Sequence, residues 1–230
     1  MNRNLFFFVI AILNIQPAFL QKVETRDVKA FSKLRVADNI TAVLVPDDNY
    51  QVVVDAKNIW NEEVLTTIDG VELKLSTKGN MHEAKITCTV YFDKELTKLT
   101  PTYGGMVKTD SGVVLMTKKL EIDANLDGFT NIEVDVEELY ITAGQGSDIY
   151  ISGRAHKVIV EAQSGAKVHL DGMVCEDAEV RSATGAKVWL TAEKTYIAKA
   201  ITGGKIFYTK DPEVKFDRTA TLGGKVEIVQ

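Results

Sequence analysis

The chain has 230 residues, 45% of them apolar, and sets 27 Lys and Arg against 32 Asp and Glu for a net charge of −5. That is the size of one ordinary domain or one elongated all-β unit, with enough apolar content to fill a core. With no basic block, the chain lacks the phosphate-binding surface that a nucleic-acid partner needs, so nucleic acid is excluded as a class.

At the start of the chain, residues 1–4 carry a single cation, Arg3, and residues 5–13 are nine uninterrupted apolar residues. The run is too short to span a ~30 Å hydrocarbon core but suits an export signal. A signal peptide is expected over residues 1–21, with processing between Ala18 and Gln21. The protein is then exported to the periplasm, the outer-membrane surface or the extracellular space, with no membrane span after signal removal. No Cys lies near the junction, so lipid attachment there is not available. Loss of Arg3 leaves 26 basic and 32 acidic residues, a net charge of −6.

Residues 22–109 hold alternating apolar segments at Val43 and Val45, Val52 and Val54, Val71 to Leu75 and Ile86 to Phe92. They have strand period but no fixed spacing, and read as irregular first rungs or a small β cap that closes one end of a coil. The one segment suited to a helical turn is Ile59 to Leu65. Cys88 alternates with Ile86, Val90 and Phe92 and reads as a buried strand residue, whereas Cys175 falls between strand segments. Two cysteines 87 residues apart are no disulfide framework, and two free, inert thiols are expected.

From residue 110 to residue 230 the pattern becomes regular. Gly146, Gly165, Gly185, Gly203 and Gly223 are spaced by 19, 20, 18 and 20 residues. Two positions after each stands a charged residue: Asp148, Lys167, Lys187, Lys205 and Lys225. Three and five positions after come apolar pairs, Ile149 and Ile151, Val168 and Leu170, Val188 and Leu190, Ile206 and Tyr208, Val226 and Ile228. Seven, five and three positions before each glycine the register repeats, for example Val158, Val160 and Ala162 before Gly165, and the residue three before is always Ala or Ser. A small side chain there fits a tight corner with another layer above it. Arg218, five before Gly223, breaks the apolar pattern. Upstream, Leu120, Ile122 and Ala124 with Ile132, Val134 and Val136 form a degenerate rung around Gly128.

Each unit is thus two short strands hinged at a glycine, and neither can bury its apolar side alone. Stacking coil on coil at ~4.8 Å joins like residues in columns by parallel ladders and makes one continuous core. The expected fold is all-β, a single-stranded parallel β-helix or solenoid, and the strand-crossover preference favours a right-handed coil. No helical pattern separates the strands, which excludes a doubly wound α/β fold.

These turns resemble a known family. Ser164-Gly165-Ala166-Lys167, Thr184-Gly185-Ala186-Lys187 and Gly203-Gly204-Lys205-Ile206-Phe207-Tyr208 look like turns of the auto-transporter adhesin head domains, the GIN domain family (DUF2807). So do Ile151-Ser152-Gly153-Arg154-Ala155, Asp211-Pro212-Glu213-Val214, and Phe31-Ser32-Lys33-Leu34-Arg35-Val36 followed by Val43 and Val45. The likeness covers about residues 27–230, so residues 22–109 and 110–230 read as two parts of one continuous domain. It implies export by a Bacteroidetes-type bacterium, a pectin-lyase-like β-helix and a role in adhesion, and it supplies no catalytic residues. Where the family uses a Gly-Ser-Gly turn, this chain has Gly-Ala-Lys and Gly-Gly-Lys, which changes surface charge rather than fold.

Four positions after each anchor the chain places Tyr150, His169, Trp189, Phe207 and Glu227. In a stacked coil this is an outward column of rings beside the column containing Lys167, Lys187 and Lys205, with only Asp148 positioned to relieve a lysine. Such a face suits a glycan or a protein partner. It equally suits rungs that brace one another and lysines that discourage sideways aggregation. The carboxylates Glu133, Asp135 and Glu137 are too few and too spread for Ca²⁺. The histidines His82, His156 and His169 show no metal-ligand spacing. Gly203-Gly204-Lys205 lacks the remaining residues of a phosphate loop. A polysaccharide lyase or hydrolase, the rival on the same architecture, needs convergent carboxylates, whereas Asp148, Asp171, Asp177 and Glu193 occupy different repeat positions. The expectation is therefore a non-catalytic, adhesin-like protein without cofactor or metal, whose partner is a glycan or surface protein. A carbohydrate-active enzyme, a purely structural envelope protein and a homo-oligomer are left as alternatives.

Overall fold

The computed structural model describes residues 23–79, 84–93 and 96–229. The signal-peptide segment and His82 lie outside them. The first nine strands are β1 (Glu24–Asp27), β2 (Lys33–Val36), β3 (Ile40–Pro46), β4 (Gln51–Lys57), β5 (Val64–Asp69), β6 (Glu72–Thr77), β7 (Lys85–Phe92), β8 (Lys98–Pro101) and β9 (Met106–Thr109). One 3₁₀ turn, Asn61–Glu63, falls inside the segment expected to be helical. The regular part holds β10 (Val114–Ala124), β11 (Phe129–Ala143), β12 (Asp148–Ala162), β13 (Lys167–His169), β14 (Met173–Ser182), β15 (Lys187–Trp189), β16 (Ala192–Ile201), β17 (Lys205–Tyr208), β18 (Lys215–Thr221) and β19 (Lys225–Ile228).

From β10 onward every pairing is parallel, and the coils stack into a β-solenoid of about seven turns. Leu139, Val158, Ala178, Tyr196 and Phe216 fall on successive rungs of one column, and Val168, Val188, Ile206 and Val226 on another. These are the residues that the strand period placed inside, and one contiguous core extends from Phe31 to Tyr208. Within it, Ala178 lies next to the fully buried Tyr196, whose ring stacks on Phe216 at 5.6 Å and meets Tyr208 edge-on at 6.4 Å. The last coil differs from the pattern. Val226 and Phe216 are only half-buried, and Arg218, Ala220 and Ile228 are exposed, because no described rung lies beyond them.

The hinge is a tight turn. At each anchor two successive residues have positive φ, for example Ser164 and Gly165 at 52° and 76°, and the chain closes with Ala166 N–H donating to Gln163 O at 3.1 Å. Two left-handed central residues are the pattern of a type I′ turn, whose second position favours Gly. The turns bond to one another: Gly146 N–H donates to Ser164 O at 3.2 Å and Gly165 N–H to Thr184 O at 3.1 Å. The same corner extends upstream of the glycine series, at Leu126 and Asp127, Tyr103 and Gly104, and Asp38 and Asn39. There the excursions between corners are longer and carry extra strands.

Those excursions build a cap. β2 pairs in parallel with β6 and β8, and β3 with β7 and β9, so the solenoid columns reach the first coil. Around them β1 pairs antiparallel with β4, β4 with β7, and β5 with β6. Irregular rungs and a small β cap are thus both present. Arg26 fastens the cap: its guanidinium donates to Val64 O at 2.6 Å, Asn61 O at 2.8 Å and Thr66 Oγ1 at 2.9 Å while Glu24 pairs with it at 3.0 Å. The bonds to Val64 and Thr66 occupy acceptors on edge strand β5 that would otherwise be open to another chain. Cys175 lies within β14, not between strands, since the strand begins at Met173 as soon as the preceding turn ends.

Candidate ligand-binding face

The regular coils present one short arm made from the first residues of β12 and from β13, β15, β17 and β19. Parallel register sets Tyr150 beside His169, His169 beside Trp189, Trp189 beside Phe207 and Phe207 beside Glu227. Alternation sends the intervening Ile149, Val168, Val188 and Ile206 inward, so the rings point out. They stack as a ladder, with centroids 4.4, 4.1 and 5.0 Å apart and interplanar angles of 3°, 7° and 21°. Phe129 joins at the upstream end, tilted at 5.8 Å from Tyr150. Its sequence position is on the neighbouring column, opposite Asp148, and only the side-chain direction brings it to the rings.

The adjoining column is Asp148, Lys167, Lys187, Lys205 and Lys225. Lys167 Nζ lies 4.0 Å from the Asp148 carboxylate, the one relief expected, and Lys225 pairs with Glu227 at 3.4 Å. Among the described residues Lys187 and Lys205 have no salt bridge. His169 sits between two carboxylates, with Asp148 and Asp171 each 3.9 Å from one of its ring nitrogens. Its burial in the stack lowers the imidazole pKa below the usual histidine range, against the opposite pull of Asp148 and Asp171.

Among the described residues, two grooves are lined by carboxylates. A groove of about 200 Å³ beside the ladder is lined by Trp189 and Phe207 together with Asp171, Glu193, Lys210 and Cys175. Asp171 and Glu193, at different repeat positions, therefore share one wall-to-wall space, while Asp148 and Asp177 do not line it. A wider groove of about 510 Å³ lies where Arg154, His156, Glu176 and Asp135 meet the exposed Met116 and Val174. His156 Nδ1 lies 3.2 Å from the Glu176 carboxylate. No group of three or more His, Cys, Asp or Glu side chains able to hold a metal occurs among the described residues. Cys88 and Cys175 are both free and buried, and burial pushes each thiol up to about 12.

The five anchor glycines all lie in corners and outside the lining of both grooves. The sequence thus located the ring and lysine columns and the turns, and missed Phe129 and the shared groove. Both depend on side-chain torsions and on the unequal corner lengths after β13, β15 and β17, which periodicity does not report.

No helix of the described residues is long and apolar enough to cross a membrane. No curated protein matches the chain. Several solved structures share its fold, three of them as follows. A "putative adhesin" from Bacteroides fragilis NCTC 9343 is 19% identical with a TM-score of 0.75, over 91% of this chain and 98% of that one. A "putative lipid binding protein" from Parabacteroides distasonis ATCC 8503 is 16% identical with a TM-score of 0.65, over 90% and 97%. A "putative adhesin" from Parabacteroides merdae ATCC 43184 is 12% identical with a TM-score of 0.66, over 91% and 96%. Residues 30–212 match the family described as "Putative auto-transporter adhesin, head GIN domain", and with so much of its solenoid and cap inside that match the chain belongs to the GIN-domain family.

Proposed function

We propose that this chain is an exported, non-catalytic adhesin-like protein of the cell envelope that binds a glycan or surface protein through the outer face of its short arm. The observation that carries the reading is the conjunction on one face of Tyr150, His169, Trp189 and Phe207 with Lys167, Lys187 and Lys205, set in line by the parallel register of the rungs. Membership of an adhesin-described family supports it, as do the adhesin-described structures that share the fold. Rings and cations in adjoining columns on one outward face can offer a ligand both apolar and charged contacts. Cell fractionation with surface protease shaving tests the location, and capture by envelope preparations tests the face. Capture is expected to fall when Trp189→Ala and Phe207→Ala are combined and when Lys187→Gln and Lys205→Gln are combined. Undiminished capture by both folded variants sinks the reading.

One observation favours a second reading, cleavage of a glycan: Asp171 and Glu193 border the same groove beside the rings. Incubation with pectins and host glycans distinguishes the two, since cleavage releases new reducing ends or unsaturated products and binding releases neither.

A further inference from the structure

The ladder alters what the face can offer a ligand. A sugar that stacks on an aromatic residue needs a free ring face. Here His169 and Trp189 each have both faces covered by the neighbouring ring, at 4.4 and 4.1 Å for His169 and at 4.1 and 5.0 Å for Trp189. Tyr150 is covered by His169 on one side and faced by Phe129 on the other. Phe207 is stacked by Trp189 on one side and has Glu227 rather than a ring on the other, so along Tyr150, His169 and Trp189 what remains outward is the row of ring edges. The edge is the positive part of an aromatic quadrupole, so it attracts anionic oxygen rather than the apolar side of a sugar.

Beside the edges runs the lysine column, one ammonium per rung at the ~4.8 Å spacing of parallel strands. Its carboxylates stand only at its limits: Asp148 relieves Lys167 at one end and Glu227 relieves Lys225 at the other. Lys187 and Lys205, between them, have no salt bridge among the described residues, and like charges held a rung apart repel. An anion bridging them removes that repulsion. Sideways, Asp171 and Glu193 on the wall of the adjacent groove repel an anion and confine it to the lysine strip. With a net charge of −5, the whole chain does not draw polyanions by bulk attraction, so recognition rests on this strip alone.

We propose that this strip takes a linear polyanion, an extended acidic polysaccharide lying along the solenoid axis with its carboxylates in step with Lys167, Lys187 and Lys205 and its oxygens against the ring edges. The assignment rests on the reading that the short arm is the binding face. It goes further by fixing the ligand as anionic, linear and held by cations and ring edges, not by stacking.

The experiment measures binding of the folded chain to polygalacturonate and alginate, two linear polyuronates, to fully methyl-esterified polygalacturonate, which keeps the backbone and loses the charge, and to single-stranded DNA. At least one polyuronate is expected to bind, about tenfold more weakly at 200 mM than at 50 mM salt. The esterified chain is expected to fail, and Lys187→Gln with Lys205→Gln to weaken polyuronate binding about tenfold with a melting temperature no lower than that of the wild type. Failure of both polyuronates overturns the proposal, as does equal binding of the esterified chain, indifference to the lysine substitutions, or equally tight binding of single-stranded DNA. If envelope capture is lost with the ring substitutions yet ignores salt and the lysine substitutions, the polyanion falls and the binding face stands. If capture ignores both sets of substitutions, the face itself falls.

Discussion

Trp189→Ala tests whether the ladder braces the coil. Trp189 makes two stacked contacts, with His169 at 4.1 Å and Phe207 at 5.0 Å. At about 1 kcal/mol for each stacked pair beyond the area buried, the substitution costs about 2 kcal/mol from stacking alone. For a chain of this size that lowers the melting temperature by about 4–8 °C. The sharper measurement is a double-mutant cycle in urea. Trp189→Ala and Phe207→Ala touch one another, so their effects are expected to couple by about 0.5–1.5 kcal/mol. Tyr150→Ala and Phe207→Ala, two rings removed, are expected to add within about 0.5 kcal/mol. A coupling of zero between Trp189 and Phe207 refutes the bracing role and leaves the rings only their outward function.

Three further outcomes follow from the geometry. Gly153→Ala is expected to be among the most damaging single changes, above about 3 kcal/mol in urea unfolding: its φ is 107° and a Cβ there comes within 2.0 Å of Val134 O. Gly165→Ala, with φ of 76° and open space around it, costs only the left-handed strain of about 1–2 kcal/mol, and equal losses at the two sites refute the distinction. His169 has a folded-state pKa below its unfolded value near 6.5, so the unfolded chain takes the proton first. Its contribution is fully present above pH 6.5 and is lost as pH falls toward the folded value. The wild type is therefore expected to lose more melting temperature between pH 7.5 and 5 than His169→Phe, and an equal loss contradicts the burial argument. Cys88 and Cys175, with thiols pushed up to about 12, are expected to ignore a thiol reagent at pH 8 in the native chain and to react when unfolded. Reaction of either thiol in the folded state counts against the core packing around it.

The regular coils were legible because each corner puts its second residue at positive φ and marks it with Gly, from Gly146 to Gly223. Upstream two of the three corners have Asp127 and Asn39 in the second position, which tolerate the conformation without advertising it, Gly104 stands alone there, and the period is hidden by the hairpin of β5 and β6 and the detour through β4 and β7. Arg26 shows why the cap could not be read at all: its acceptors at Asn61, Val64 and Thr66 are 35 to 40 positions away, two of them backbone carbonyls with no residue signature. The ring column was legible from spacing alone, whereas the covering of ring faces was not. Alternation decides which side of a strand a side chain leaves from, and the χ angles then decide whether four rings lie flat on one another or splay.

The long detours in the cap also set an order of events. In the regular coils a rung closes on its neighbour after about 19 residues, as Leu139 does on Val158, whereas Val36 must find Pro101 across roughly 65. Closing the longer loop costs about 1 kcal/mol more in chain entropy. Local closures are also the faster ones. The nucleus is thus expected among β11, β12 and β14, with each new coil templating the next, and the cap that comes first in the chain docks last. As the chain is made, β2 and β3 then have only their β6 and β7 partners until β8 and β9 arrive. That interval is when a chaperone has most to hold.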